Sequence, residues 1–141
     1  MANVWSCAVF VDAYAAAGRN VEVPVVACLD CEEELGPWSG YWRFVREAGR
    51  CARVFVSRGR CRACGATHAL LPGFAVRNRL AVVETIGTFL EVVESGPGGV
   101  RPAAVAARVP HTTARGWVRA FAACARRLTV GFCSLAIELG G

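Results

Sequence analysis

The chain has 141 residues and a formal net charge of +5, and all sixteen of its basic residues are arginine. That length allows one ordinary domain or two small ones. The longest apolar stretch near the C-terminal end, residues 128–137, is too short to cross a bilayer, so no membrane span is expected.

The opening apolar run has no basic region before it and is broken by Asp12 and Tyr14, so no signal peptide is expected either. A cytoplasmic location with reduced thiols follows, where cysteine pairs bind metal rather than one another. Arginine's planar fork suits phosphates and guanine edges, which directs a basic chain toward nucleic acid. Ala, Arg, Gly and Val dominate, as in a GC-rich coding sequence, so the placement of the arginines carries more than their number.

Residues 1–24 read as a lead-in, with a strand over 4–11, a short helical turn over 12–17 and a stop at Gly18. Cys7 lies in that strand with no cysteine at a short spacing beside it, and is assigned to the core. Val21-Glu22-Val23 alternates like another short strand, closed by Pro24.

Two cysteine pairs follow, Cys28-Leu29-Asp30-Cys31 and Cys61-Arg62-Ala63-Cys64, separated by residues 32–60. Two residues between cysteines let a tight knuckle turn both sulfurs and several backbone N–H groups toward one ion. Two knuckles then complete the closed tetrahedron that structural zinc prefers. A pair of disulfides is the alternative, disfavoured in a reducing compartment. Zinc bound with an apparent free energy of about 10–16 kcal/mol supplies folding energy that so small a module lacks. His68, four residues after Cys64, is a weaker competitor for a ligand position, and Cys51 is left outside the site.

Between the knuckles, Glu32, Glu33 and Glu34 form a solvated face and Gly36-Pro37 a turn. Segments 38–46 and 51–57 are aromatic and β-branched on either side of Glu47-Ala48-Gly49-Arg50, the pattern of a hairpin. Trp42 and Phe44 share one face and Arg43 lies on the other. Seven arginines (Arg43, Arg46, Arg50, Arg53, Arg58, Arg60 and Arg62) crowd this stretch. A basic stripe including Arg43 and Arg53 can follow a phosphate backbone; a merely solvated basic surface is the other reading.

After residues 71–73 the character changes. A helix is expected from Arg77, with Leu80, Val83, Ile86, Leu90 and Val93 as its apolar stripe, ended by residues 95–99. Pro102 suits the first turn of a short helix, Val109-Pro110 interrupts, and a second helix buries Ala114, Trp117, Val118 and Phe121. That makes a helix-turn-helix, with His111, Thr112, Thr113, Arg115 and Arg119 on its polar side for base edges and phosphates. Plain packing of two Ala-rich helices is the alternative. Arg108 stands where such a turn usually has glycine, so it either adopts a positive φ at about 1 kcal/mol or a different turn forms. Cys124 and Cys133 are assigned to the core.

The first knuckle with its Trp38-Ser39-Gly40-Tyr41 hairpin, the run Arg60 to Phe74, and the run Val109 to Arg119 together resemble a group of bacterial zinc-ribbon and helix-turn-helix proteins. That group is similar to the N-terminal, DNA-binding part of insertion-sequence transposases. The resemblance covers nearly the whole chain and implies the four knuckle cysteines as ligands, residues 111–119 as the recognition segment, and a transposon connection.

The expected fold is therefore α+β, a small N-terminal β zinc ribbon followed by a three-helix helix-turn-helix domain with a C-terminal helical extension. Its boundaries are a lead-in strand and short helix at 1–24, the ribbon at 25–74 and the helix-turn-helix domain at 75–141. The expected function is a non-catalytic, zinc-containing protein that binds double-stranded DNA, as a transposase relative or a transcription regulator. Chemistry of its own is not expected, because four cysteines close the metal site and the chain has only two aspartates, Asp12 and Asp30, for a carboxylate-rich two-metal core. A thiol oxidoreductase would place one Cys-x-x-Cys pair at a helix start in a βαβ unit, which two pairs flanking a hairpin do not match. The alternative is a ribbon whose hairpin face docks on a protein of a transcription or transposition complex.

Overall fold

The structure is a computed structural model that describes residues 1–47 and 49–139, apart from the side chains of Arg126, Phe132 and residues 135–139. It divides into two compact units, Met1–Thr85 and Ile86–Gly141.

The first unit is built on a long hairpin, β2 (Leu35–Glu47) and β3 (Arg50–Cys61). Both strands are rich in aromatic and β-branched residues, and they pair antiparallel from Leu35↔Cys61 to Glu47↔Arg50. The turn therefore takes a shorter course than the expected four-residue loop, and Gly49 adopts φ 82 to allow it. Strand β4 (Thr67–Pro72) returns antiparallel to β3, and β1 (Ala2–Trp5) lies parallel to β4, giving the order β1-β4-β3-β2. Pro37 is tolerated because β2 is an edge strand, and the register shifts between Pro37 and Ser39. Part of that edge is covered: the N–H of Arg46 donates to the Leu80 carbonyl, and the N–H of Val82 donates to the Arg46 carbonyl.

Helix α1 (Val11–Ala17) buries Val11 and Tyr14, three residues apart on one face, against Val45, Val54 and Val82. The Tyr14 hydroxyl donates to the Phe55 carbonyl at 3.0 Å. A second cluster gathers Cys28, Leu35, Cys61 and Leu70 at the other end of the hairpin, and a third gathers Val56, Leu71 and Ala75.

The second unit holds most of α2 (Val83–Ser95), then α3 (Val100–Ala106) and α4 (His111–Leu139). Phe89 of α2 packs edge-on against Trp117 of α4 at 5.4 Å between ring centres, and both are buried. Ala103, Ala104 and Ala114 are buried as well, small residues that suit a close approach of α3 and α4.

The chain is thus α+β, but the expected architecture is corrected. The lead-in is no separate piece, because β1 is a full member of a four-stranded mixed sheet through its pairing with β4. Nor do the helices show a three-helix helix-turn-helix ordering with an extension: α1 belongs to the sheet unit, and α4 runs unbroken over 29 residues. Smaller expectations change with it. Residues 21–23 form no strand, and the helix expected from Arg77 begins at Val83, because 80–82 are taken up by hydrogen bonds to the sheet. Leu80 and Val83 are exposed while Phe89 is buried, so the stripe is rotated from the one expected. Phe121, Cys124 and Cys133 are exposed on α4 instead of lying in the core.

Candidate metal centre

The pairing Leu35↔Cys61 decides where the cysteines meet. It sets the start of β2, just after the first knuckle, beside the end of β3, where the second knuckle begins. Each knuckle then closes by the same hydrogen bonds. The N–H of Glu32 donates to the Cys28 carbonyl at 2.9 Å and the N–H of Cys28 to the Glu33 carbonyl at 2.7 Å. In the second, the N–H of Gly65 donates to the Cys61 carbonyl at 3.1 Å and the N–H of Cys61 to the Ala66 carbonyl at 2.9 Å. Both turns require a left-handed residue just after the second cysteine, supplied by Glu32 at φ 64 and Gly65 at φ 76. Asn3 of β1 fastens the first knuckle from outside, its side-chain amide donating to the Ala27 carbonyl at 2.8 Å.

Cys28, Cys31, Cys61 and Cys64 come together as expected, their sulfurs all within 4.8 Å of one another. Cys28 Sγ lies 3.6 Å from Cys64 Sγ, and Cys31 Sγ lies 3.4 Å from Cys61 Sγ. A tetrahedral centre with metal–sulfur bonds of about 2.3 Å separates its sulfurs by about 3.8 Å, so the four thiols have the spacing to hold one metal ion. Neither close pair is a disulfide; all the cysteines are free. Cys7 is half-buried against the α1 core, and Cys51 is exposed and stands apart, as the sequence suggested.

The thiols differ in acidity. The backbone N–H of Cys64 leads the groups that bring Cys61 down to about 7. Cys31, although the backbone N–H of Glu33 pulls it down, is pushed up to about 12 by the neighbouring thiols, Cys61 first. Against the lowering pull of the Ala66 N–H, burial and the thiols of Cys61 and Cys28 raise Cys64. Metal binding to such a set must displace protons.

His68 matters more than its sequence position suggested. It is fully buried, with Nε2 3.4 Å from Cys28 Sγ and 3.7 Å from Asp30 Oδ2, while Nδ1 has no partner among the described residues. A sulfur and a carboxylate converge on one ring nitrogen, and a proton placed on Nε2 would make His68 a donor to Cys28. Strand periodicity carries the signal that would have found it. His68 and Leu70 share the face of β4 that packs on Cys28, Leu35 and Cys61.

The residues expected to touch DNA fall into separate places. His111, Thr112, Arg115 and Arg119 are exposed along the first turns of α4, Thr113 is half-buried, and Ala114 and Trp117 face inward. The approach to α4 is a Schellman turn. The N–H of Val109 donates to the Ala104 carbonyl at 3.0 Å and that of Arg108 to Val105 at 3.1 Å, with Arg108 itself at φ 53. Arg43 and Arg53 do not form one stripe. Arg43 pairs with Val54 and Arg53 with Phe44, so alternation sends them to opposite faces of the hairpin. Arg53 stacks on Trp42 at 4.9 Å, whereas Arg43 donates to the carbonyls of Val76 and Arg79. Comparison of the chain with family models, curated proteins and solved structures finds no match.

Proposed function

We propose that this is a non-catalytic DNA-binding protein in which zinc holds the hairpin unit together and the N-terminal turns of α4 enter the major groove of duplex DNA. The four-cysteine centre supports zinc, because an all-thiolate tetrahedral set is the donor set of structural zinc and leaves no position for a reacting water. Residues Cys28, Cys31, Cys61 and Cys64 would hold it, and its contribution is folding energy.

The observation that carries the DNA reading is the division of the first turns of α4. Ala114 and Trp117 are buried, and His111, Thr112, Arg115 and Arg119 stand exposed as donors and cations. Side chains of those types at a helix N-terminal segment suit base edges and phosphates. The resemblance of the knuckles and of residues 109–119 to transposase N-terminal parts favours a transposition or transcription complex as the setting.

A second reading, the hairpin as a protein-docking surface, is favoured by the exposure of Trp38 and Phe44, at 56% and 54%. Selection of bound sequences from random duplex DNA by the metal-loaded chain, followed by affinity at several salt concentrations, separates the two. The DNA reading expects an enriched sequence and affinity that falls steeply with salt. No enrichment and no salt-dependent duplex binding would leave only the docking reading.

A further inference from the structure

We propose that the sheet carries a phosphate-binding pocket, formed by Arg43, Arg58 and Arg77 with Tyr41, Thr67 and Asn78, which takes the phosphate of a nucleotide, either free or at the end of a nucleic-acid strand. The pocket lies within the first unit and stands independently of the role given to α4.

Register brings its residues together. Tyr41 and Arg43 alternate onto one face of β2; on β3 their partners Val56 and Val54 share that face with Arg58, and Arg58 is paired with Ala69, two residues from Thr67 on β4. Arg77 and Asn78 come from the segment after β4, and Asn78 takes φ 58 there. These side chains line a cavity of about 430 Å³, within the range of roughly 300–1,000 Å³ usual for small-molecule sites.

Two of the three cations are held before any ligand arrives. The guanidinium of Arg43 donates to the Val76 carbonyl at 3.3 and 3.4 Å and to the Arg79 carbonyl, which ties the loop bearing Arg77 and Asn78 to the sheet. Arg58 Nη2 donates to Thr67 Oγ1 at 3.0 Å. No carboxylate lines the cavity, and none of these three arginines is in an ion pair among the described residues. No carboxylate of the lining therefore offsets their charge. A phosphate monoester, doubly charged and with three acceptor oxygens, does so and matches guanidinium geometry. Tyr41 supplies an aromatic wall for the attached base.

The test uses the metal-loaded full chain, titrated calorimetrically with AMP, with adenosine, and with a short single-stranded oligonucleotide bearing or lacking a 5′-phosphate. At least one phosphorylated probe is expected to bind about tenfold or more tightly than its unphosphorylated control. AMP binding identifies a free nucleotide as sufficient, and binding of the phosphorylated strand alone identifies a strand end. Arg77→Gln, at an exposed position, and Arg58→Gln should each weaken that probe about tenfold with an unchanged circular dichroism spectrum, and Arg101→Gln, at an exposed position of α3, should not weaken it. The proposal is overturned if neither phosphorylated probe exceeds its control, if both the Arg77→Gln and Arg58→Gln variants bind like wild type, or if Arg101→Gln weakens the probe as much as Arg77→Gln does.

Discussion

At the scale of single residues, two positions carry consequences out of proportion to their chemistry. Arg108 sits at φ 53 as the left-handed residue of the turn between α3 and α4, where a Cβ is strained. Glycine removes that strain at some cost in unfolded-chain entropy, so Arg108→Gly should raise stability by about 0.5–1 kcal/mol in urea denaturation. A loss of stability would mean that the arginine side chain contributes more than its backbone costs. His68 is the other. Its Nε2 lies 3.4 Å from Cys28 Sγ on a fully buried ring, a contact that would orient that cysteine toward a metal ion. His68→Leu should weaken metal retention about 10–100-fold in a chelator competition, and His68→Gln, which can restore a donor at that place, should recover part of it. Equal retention in the leucine variant would show that the contact is only packing.

At the scale of elements, what the sequence made legible was whatever local spacing dictates. The knuckles, the hairpin and the helix with Ala114 and Trp117 inward all follow from spacings of two to four residues, and each is present. What long-range contacts decide was hidden. Nothing local to Ala2–Trp5 says that it will pair with β4, sixty-odd residues on, and nothing local to 77–82 says that Arg46 will take its N–H groups and carbonyls away from a helix. Composition is blind to alternation and allows the hairpin arginines to be one stripe or a merely solvated surface, and the register divides Arg43 from Arg53. Cys124 and Cys133, expected in the core, are exposed, because helical spacing is kept whether or not anything covers it. Within the helical unit the contact that matters most is Phe89 on Trp117, both nearly fully buried. Phe89→Ala should cost about 3–5 kcal/mol and lower the helical circular dichroism at mild denaturant, while the cysteine site continues to take up metal. Unchanged helicity and stability would remove Phe89 as the anchor of that unit.

At the scale of the whole molecule, the four-cysteine cluster joins the two ends of the long hairpin to β4, and through Asn3 it reaches β1. Without an ion the four thiols would be packed within 4.8 Å of one another, with Cys28 and Cys61 buried against Leu35 and Leu70. A strong chelator should therefore melt the sheet, seen as loss of tryptophan and far-ultraviolet signal, and readdition of zinc should restore it. Because Cys31 and Cys64 are held above the usual thiol range and must lose their protons to bind, the affinity for metal should fall as pH falls. A chain that keeps its sheet in chelator at full stability would not depend on metal.

The functional account depends above all on the exposed side of the first turns of α4, and the most direct measurement is the affinity of wild type and Arg115→Ala for a selected duplex and for single-base-pair variants of it. Arg115 is exposed beside buried Ala114, so its removal should leave the fold intact. If it reads a guanine edge, Arg115→Ala costs about 1–3 kcal/mol on the selected duplex and abolishes the preference at one base pair while keeping the others. Unchanged affinity and unchanged preference at every position in the folded variant would contradict the assignment of α4 as the element that reads DNA.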